Sequence, residues 1–217
     1  MAIQGAEKDT VIRAVMFDFG GVITSSPFEA FARFEAERGL PPDFIRTVNA
    51  TNPDTNAWAQ LERSEVDSDA FVTLWSAEAM RLGYEVDARE VLQCLAGRIR
   101  PAMVAAITAC RDGGLKTACL TNNFGVAGTS HSPEATAIYE LFDAVLESRV
   151  LGVRKPDPRF YELACEAVGV APAEAVFLDD LGINLKPARA MGMHTIKVAN
   201  AQQALSELSA LTGISFN

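Results

Sequence analysis

The chain has no run of apolar residues that could cross a membrane as a helix. Nothing in it approaches the ~18 to 20 unbroken apolar positions that a span requires, which sets integral membrane roles aside. The first ten residues, MAIQGAEKDT, lack the apolar core of a secretory signal and carry Glu7 and Asp9, so they read as a short frayed leader. Cys94, Cys110, Cys119 and Cys165 show no C-x-x-C spacing and stand among apolar neighbours. That argues against disulfides and structural zinc, and for buried free thiols in a reducing cytoplasm. Positive charge is scarce as well: 19 Lys and Arg face 28 Asp and Glu, for a net charge of −9. Nucleic acid is thereby disfavoured as a partner, while a local basic pocket for a small anion stays compatible with the sum. Internal repeats and low-complexity tracts are absent too. Only two histidines occur. His194 opens a strand and reads as structural; His131 lies in the polar loop GTSHSP and reads as surface, with proton shuttling as its alternative.

What is present fits an ordinary globular chain. With 217 residues, 49% apolar and 22% charged, it has room for one large domain or for a core with a modest insert. Apolar runs bounded by turn residues predict strands at 13–18 (RAVMFD), 115–121 (LKTACLT), 142–148 (FDAVLES), 175–180 (AVFLDD) and 194–198 (HTIKV). Helices are expected over 101–112 behind Pro101, from about Ser132–Pro133, from Asp157–Pro158 to about Val168, over 182–192 despite Pro187, and over 201–211. Between 27 and about 97 the pattern is helical only, with Phe28, Phe31 and Phe34 at helical spacing and breaks at LPPDF and TNPDT. These aromatics read as core, without a binding role. The expected fold is therefore α/β. It has a Rossmann-like parallel sheet with helices on both faces, formed by residues 1–24 and 98–217, and a small helical cap of residues 25–97 inserted after the first strand. In such sheets ligands bind where the strands end.

Three strands end in polar residues: Asp18, Thr121 and Asp179–Asp180. With Asn122 and with Lys155 of GVRKPDP they make a set. Each piece alone has a plain structural reading. Asp18 caps a turn, Thr121–Asn122 form one, Lys155 is a solvated loop lysine, and the paired aspartates cap the following helix. Their order and their shared position at strand ends favour a site.

This set resembles the four motifs of the haloacid dehalogenase superfamily. Within it the resemblance is to the amino-terminal phosphatase domain of soluble epoxide hydrolases, carried by FDFGGV, LTNN, VRKPDPRFY, FLDDLGINLKPARAMGMHTIKV and the tail ALSELSALTGI. It implies a Mg²⁺-dependent phosphohydrolase acting on a small phosphorylated metabolite, and a monomer or homodimer without nucleic acid or membrane partners. Asp18 would be nucleophile and metal ligand, the Gly20 carbonyl and Asp180 further ligands, and Asp179 and Asn184 their outer-shell partners. Thr121, the Asn122 amide and Lys155 would cradle the phosphate, and Arg154 is a weaker candidate for substrate contact. Because the resemblance stops at the phosphatase half, epoxide hydrolysis is not expected.

One position departs from the family pattern. Most phosphatases of the superfamily place a second Asp two residues after the nucleophile, where this chain has Gly20. General acid–base help is typically worth ~10²- to 10⁴-fold, so three readings stay open. The chain is a phosphatase whose acid is supplied otherwise, or which prefers easy leaving groups. It is a dehalogenase-type hydrolase, whose halide leaving group needs no proton. Or it is a non-catalytic module that binds Mg²⁺ and phosphate.

Overall fold

A computed structural model describes residues 11–63, 65–95, 97–122 and 133–216. The leader and the His131 loop therefore lie outside the described residues. Five strands appear: β1 (Ala14–Phe17), β2 (Lys116–Thr121), β3 (Ala144–Glu147), β4 (Ala175–Asp179) and β5 (His194–Lys197). They form one parallel sheet in the order β3-β2-β1-β4-β5. All four residues of β1 are buried, as a central strand covered on both faces must be.

Side chains alternate across the sheet. Val15, Phe17, Cys119, Val176 and Leu178 face one layer of helices: α6 (Pro101–Asp112), α7 (Pro133–Tyr139) and α11 (Ala201–Thr212). Met16, Ala118, Leu120 and Phe177 face the other, α9 (Pro158–Val168) and α10 (Gly182–Ala190), where Phe160, Tyr161 and Leu185 fill the interface. Asp157 caps α9 as its position before Pro158 predicts, accepting from Arg159 N at 2.9 Å. A four-residue helix, α8 (Ser148–Leu151), follows β3 where the sequence suggested only the strand's end.

The segment between β1 and α6 is helical throughout: α1 (Pro27–Arg38), α2 (Phe44–Ala50), α3 (Ala57–Glu62), α4 (Ser68–Arg81) and α5 (Ala88–Gln93). It owns a separate core around Trp75, Phe71, Ile45 and Val91, all fully buried. Each such side chain stabilises by about 1.5–3 kcal/mol. The two chain crossings that join it to the sheet run side by side, with Ser25 N donating to Arg98 O at 2.7 Å. No described helix is long and apolar enough to cross a membrane. All four cysteines are free; Cys94 is half-buried and the other three are buried.

Candidate active site

Asp18 follows β1 directly. Its backbone is extended, its N–H donates to Leu178 O at 2.9 Å, and its Oδ1 accepts from Phe19 N at 2.6 Å. The chain then makes one wide helical turn, Phe19–Ile23, broken by its two glycines. Gly21 has φ 78°, and a Cβ there would lie 2.2 Å from Asp180 Oδ2, so only glycine lets the two strand ends approach. Arg100 Nη1 donates to Gly21 O at 2.7 Å and holds the turn from the far crossing. Gly20 is different: φ −71° and ψ 130° suit any residue, and nothing lies within 4 Å of a Cβ placed there.

Lys155 reaches the site from the loop before α9. It is 1% exposed, and its ammonium lies 2.9 Å from both Asp18 Oδ1 and Asp179 Oδ2, and 5.4 Å from the centroid of the Phe177 ring. The side-chain amide of Asn122 fixes the lysine backbone from both sides: Oδ1 accepts from Lys155 N and Nδ2 donates to Lys155 O, each at 2.9 Å. Burial opposes the ammonium's charge, but Asp179 and Asp18 outweigh it, and the Lys155 pKa is raised.

The acids are unequal. Asp179 is fully buried and saturated, its Oδ1 accepting from Leu181 N at 2.8 Å and Asn184 Nδ2 at 3.2 Å, its Oδ2 from Lys155 and from Asn184 at 3.0 Å. Asn184 is itself placed by Tyr161, whose hydroxyl donates to Asn184 O at 2.6 Å. Asp180 is only part-buried and accepts from Ser26 Oγ at 2.9 Å. One carboxylate oxygen from each of Asp18, Asp179 and Asp180 lies within 4.8 Å of the others. Among the described residues one ammonium pairs with this group, and it touches Asp18 and Asp179 but not Asp180. Burial pushes the Asp18 carboxyl well above the usual range, with Asp179 and Asp180 adding to that and Lys155 opposing it. Burial and then Asp179 raise Asp180 as well. A cluster of hard oxygens short of positive charge fits a hard divalent cation such as Mg²⁺.

These residues open on a cavity of about 1120 Å³ between the strand ends and the helical insert. Asp18, Gly20, Thr121, Asn122, Lys155, Asp180 and Asn184 line the sheet side; Phe28, Phe31, Trp58 and Leu95 give the insert side an apolar wall. The sequence-predicted site residues thus gather around one space, with Asp179 just behind it. Of the aromatics read as core, Phe28 and Phe31 also face the cavity while Phe34 does not, since a helix packed over a pocket has two apolar sides. Arg154 lines it too, ion-paired with Glu62 of α3. His194 sits on β5 opposite Val176, away from this lining. Ser26 and Tyr161 were not singled out from sequence. Tyr161 lies inside the VRKPDPRFY motif, and Ser26 immediately precedes the helix-starting Pro27.

The chain is similar to known proteins in sequence and in fold. Residues 12–192 match the family model described as haloacid dehalogenase-like hydrolase. The chain is 36% identical over 207 residues to mouse acyl-CoA dehydrogenase family member 10, with 93% of this chain and 19% of that protein aligned. It is 34% identical over 220 residues to mouse bifunctional epoxide hydrolase 2, with 94% of this chain and 40% of that protein aligned. This chain therefore spans less than half of either relative. A Mycobacterium tuberculosis phosphatase matches nearly end to end, at 31% identity with 94% of this chain and 96% of that protein covered. Among solved structures, a family enzyme of Bacteroides thetaiotaomicron in complex with magnesium and inorganic phosphate shares the fold. Its TM-score is 0.59 at 18% identity, with 91% of this chain and 98% of that one covered.

Proposed function

Since the chain belongs to the haloacid dehalogenase-like hydrolases, we propose that it is a Mg²⁺-dependent phosphohydrolase of small organic phosphate esters that works through an aspartyl-phosphate on Asp18. The observation that carries this reading is the buried Lys155 ammonium shared by Asp18 and Asp179 at the floor of a cavity. Asp18, the Gly20 carbonyl and Asp180 would hold Mg²⁺, which when bound supplies the positive charge that three carboxylates and a phosphate lack. The phosphatase of Mycobacterium tuberculosis and the magnesium–phosphate complex of the Bacteroides enzyme support the same chemistry here.

Asp18 Oδ1 is occupied by Phe19 N and Lys155, which leaves the lone pairs of Oδ2 to attack phosphorus. The bond from Asp18 Oδ2 to phosphorus forms as the ester P–O bond breaks, and the leaving oxygen departs as an anion that takes its proton from solvent water. Lys155 and the Thr121 hydroxyl neutralise and orient the phosphoryl oxygens, which is where preorganised donors act most strongly. Water then attacks phosphorus and gives up its proton to solvent, the bond from Asp18 to phosphorus breaks, the Asp18 carboxylate is regenerated and inorganic phosphate leaves. With Gly20 in place of an acid, esters of weakly basic alcohols and anhydrides are the favoured substrates. Residues 25–97 act as a cap whose aromatic wall receives the organic group. The four free thiols support a reducing, cytoplasmic setting.

Phosphate release from a panel of phosphomonoesters, with Mg²⁺ and with chelator, tests the proposal. Release that needs the metal and vanishes in Asp18→Asn is expected; no release from any ester, activated aryl phosphates included, would sink it. The open space beside Gly20 also favours a second reading, carbon–halogen hydrolysis on the same Asp18, which chloride release from 2-haloacids without added metal would reveal.

A further inference from the structure

The insert contributes more to the cavity than an apolar wall. Helix α2 buries Phe44, Ile45 and Val48 in the insert core and turns Arg46, Asn49 and Ala50 to the cavity. The i, i+3, i+4 spacing puts these three on one helical face. The helix is held firmly. Glu35, 4% exposed on α1, accepts from Asp43 N and Ile45 N at 2.9 Å each, and Asn49 O accepts from Asn56 Nδ2 at 2.8 Å.

Two side chains on that face have fixed donors. The Asn49 Oδ1 accepts from the indole N–H of fully buried Trp75 at 2.8 Å. Its acceptor is thereby taken and its plane set, which leaves the two Nδ2 hydrogens as the free end. The Arg46 guanidinium lies over the Phe28 ring, 5.4 Å from the centroid, an arrangement that steadies a cation without neutralising it. Among the described carboxylates none lies within ion-pair distance of Arg46, in a chain with a net charge of −9. A fixed amide donor beside a guanidinium is the chemistry that receives an oxyanion.

The geometry points to a second, non-reacting anion subsite on α2. Arg46 and Asn49 bind a carboxylate or phosphoryl group on the substrate's organic part, while the scissile phosphate rests at Lys155 and Asp18. The substrate class is then a phosphomonoester with an acidic group at its other end and an apolar middle packed along Phe28, Phe31 and Trp58. This inference rests on the phosphatase reading and deepens it. Binding energy from such a remote group can be used at the reacting centre, where Gly20 offers no acid.

The test compares phenyl phosphates whose para substituent ends in a carboxylate, a phosphonate or a neutral carboxamide, each on a short, a medium and a long methylene spacer. With the Mg²⁺-loaded full chain, one spacer length should give an acidic ester about tenfold or more in kcat/KM over its carboxamide counterpart, the worth of one charge-assisted hydrogen bond. That ratio should fall close to one in Arg46→Gln and Asn49→Leu and be partly kept in Arg46→Lys. The better of the two acids names the group. Equal kcat/KM for acid and amide at every spacer, or a preference that survives Arg46→Gln, overturns the inference. If no ester is hydrolysed, the phosphatase reading fails separately, and the same compounds decide by thermal shift. The acidic ligand should raise Tm more than the amide in the wild type and not in Arg46→Gln. Equal shifts overturn the subsite.

Discussion

The Lys155 ammonium stands 2.9 Å from Asp18 Oδ1 with 1% of the lysine exposed, so this pair meets almost without water. Among the described residues it is the one cation paired within this group of three acids, since Asp179 takes its other contact and Asp180 lies alongside. Lys155→Met removes that charge and keeps most of the volume. Turnover should fall on the order of 10²- to 10³-fold, as when a preorganised donor is lost. Breaking a buried pair costs about 3–5 kcal/mol, and here the loss should depend on pH. The carboxyl of Asp18, already raised by burial, then rises further, so its stabilising contribution is present at acid pH and disappears as pH climbs through the folded value. Urea midpoints for the variant should therefore trail the wild type more at pH 8 than at pH 5; a constant gap would argue that Lys155 does not set this charge.

Removing the other partner should do the reverse. Asp18→Asn keeps an oxygen to accept from Phe19 N and leaves Lys155 paired one-to-one with Asp179. The variant loses a carboxyl whose folded pKa is raised, a group whose stabilising contribution is full below about pH 4 and is lost as pH rises through the folded value. Without metal at pH 8, Asp18→Asn should melt at the same temperature as the wild type or higher. It should release no phosphate and gain less from added Mg²⁺. A large drop in metal-free Tm would assign Asp18 a structural role instead.

The insert is tied to the sheet side by a part-buried pair. Glu62 is 7% exposed; it holds Arg154, accepts from Trp58 Nε1 at 3.1 Å, and its backbone O takes the Ser148 hydroxyl at 2.7 Å. Because each charge loses its partner beside the cavity, Glu62→Leu and Arg154→Met should each destabilise by about 1.5–3 kcal/mol. The double variant should lose less than the two losses added, with a coupling of about 0.5–3 kcal/mol in a urea-unfolding cycle. Strict additivity would show that the two charges do not support each other.

The contrast between these two pairs explains what could be read from sequence. Asp18, Asp179 and Asp180 end strands, and a parallel sheet brings every strand end to one edge, so alternating elements brought these together, while Lys155 joined them through the resemblance of its motif. Asp157 before Pro158 likewise announced α9, because a helix start is a local event. Glu62 and Arg154 belong to different layers, and no spacing rule links an acid on a six-residue helix to an arginine in a distant loop. Phe28 and Phe31 were legible as apolar but not as cavity wall, since periodicity gives the buried side of a helix without saying whether protein or ligand covers it, and Trp58 was not singled out. A turn at Gly20–Gly21 was legible, but its wide helical form over Phe19–Ile23 and α8 were not: each is about one turn long, below what hydrophobic period resolves.

The two glycines after Asp18 carry opposite predictions. Gly21→Ala meets φ 78° and a 2.2 Å approach to Asp180 Oδ2. Left-handed backbone alone costs a side-chain-bearing residue about 1–2 kcal/mol, and relief of the clash must push Asp180 from its place. This variant should lose both turnover and Mg²⁺-dependent stabilisation. Gly20→Asp enters open space at an ordinary φ and ψ beside the nucleophile, on the cavity lining. It supplies the acid that the family pattern places there, and the gain should scale with how badly the leaving group needs a proton. Alkyl phosphates should speed up by about 10²-fold or more, while p-nitrophenyl phosphate, whose leaving group departs as a stable anion, should change little. Plotting log kcat/KM against leaving-group pKa should give a steep line for the wild type and a flatter one for Gly20→Asp. Parallel lines would mean that proton delivery is already solved in the natural protein, by a group other than residue 20.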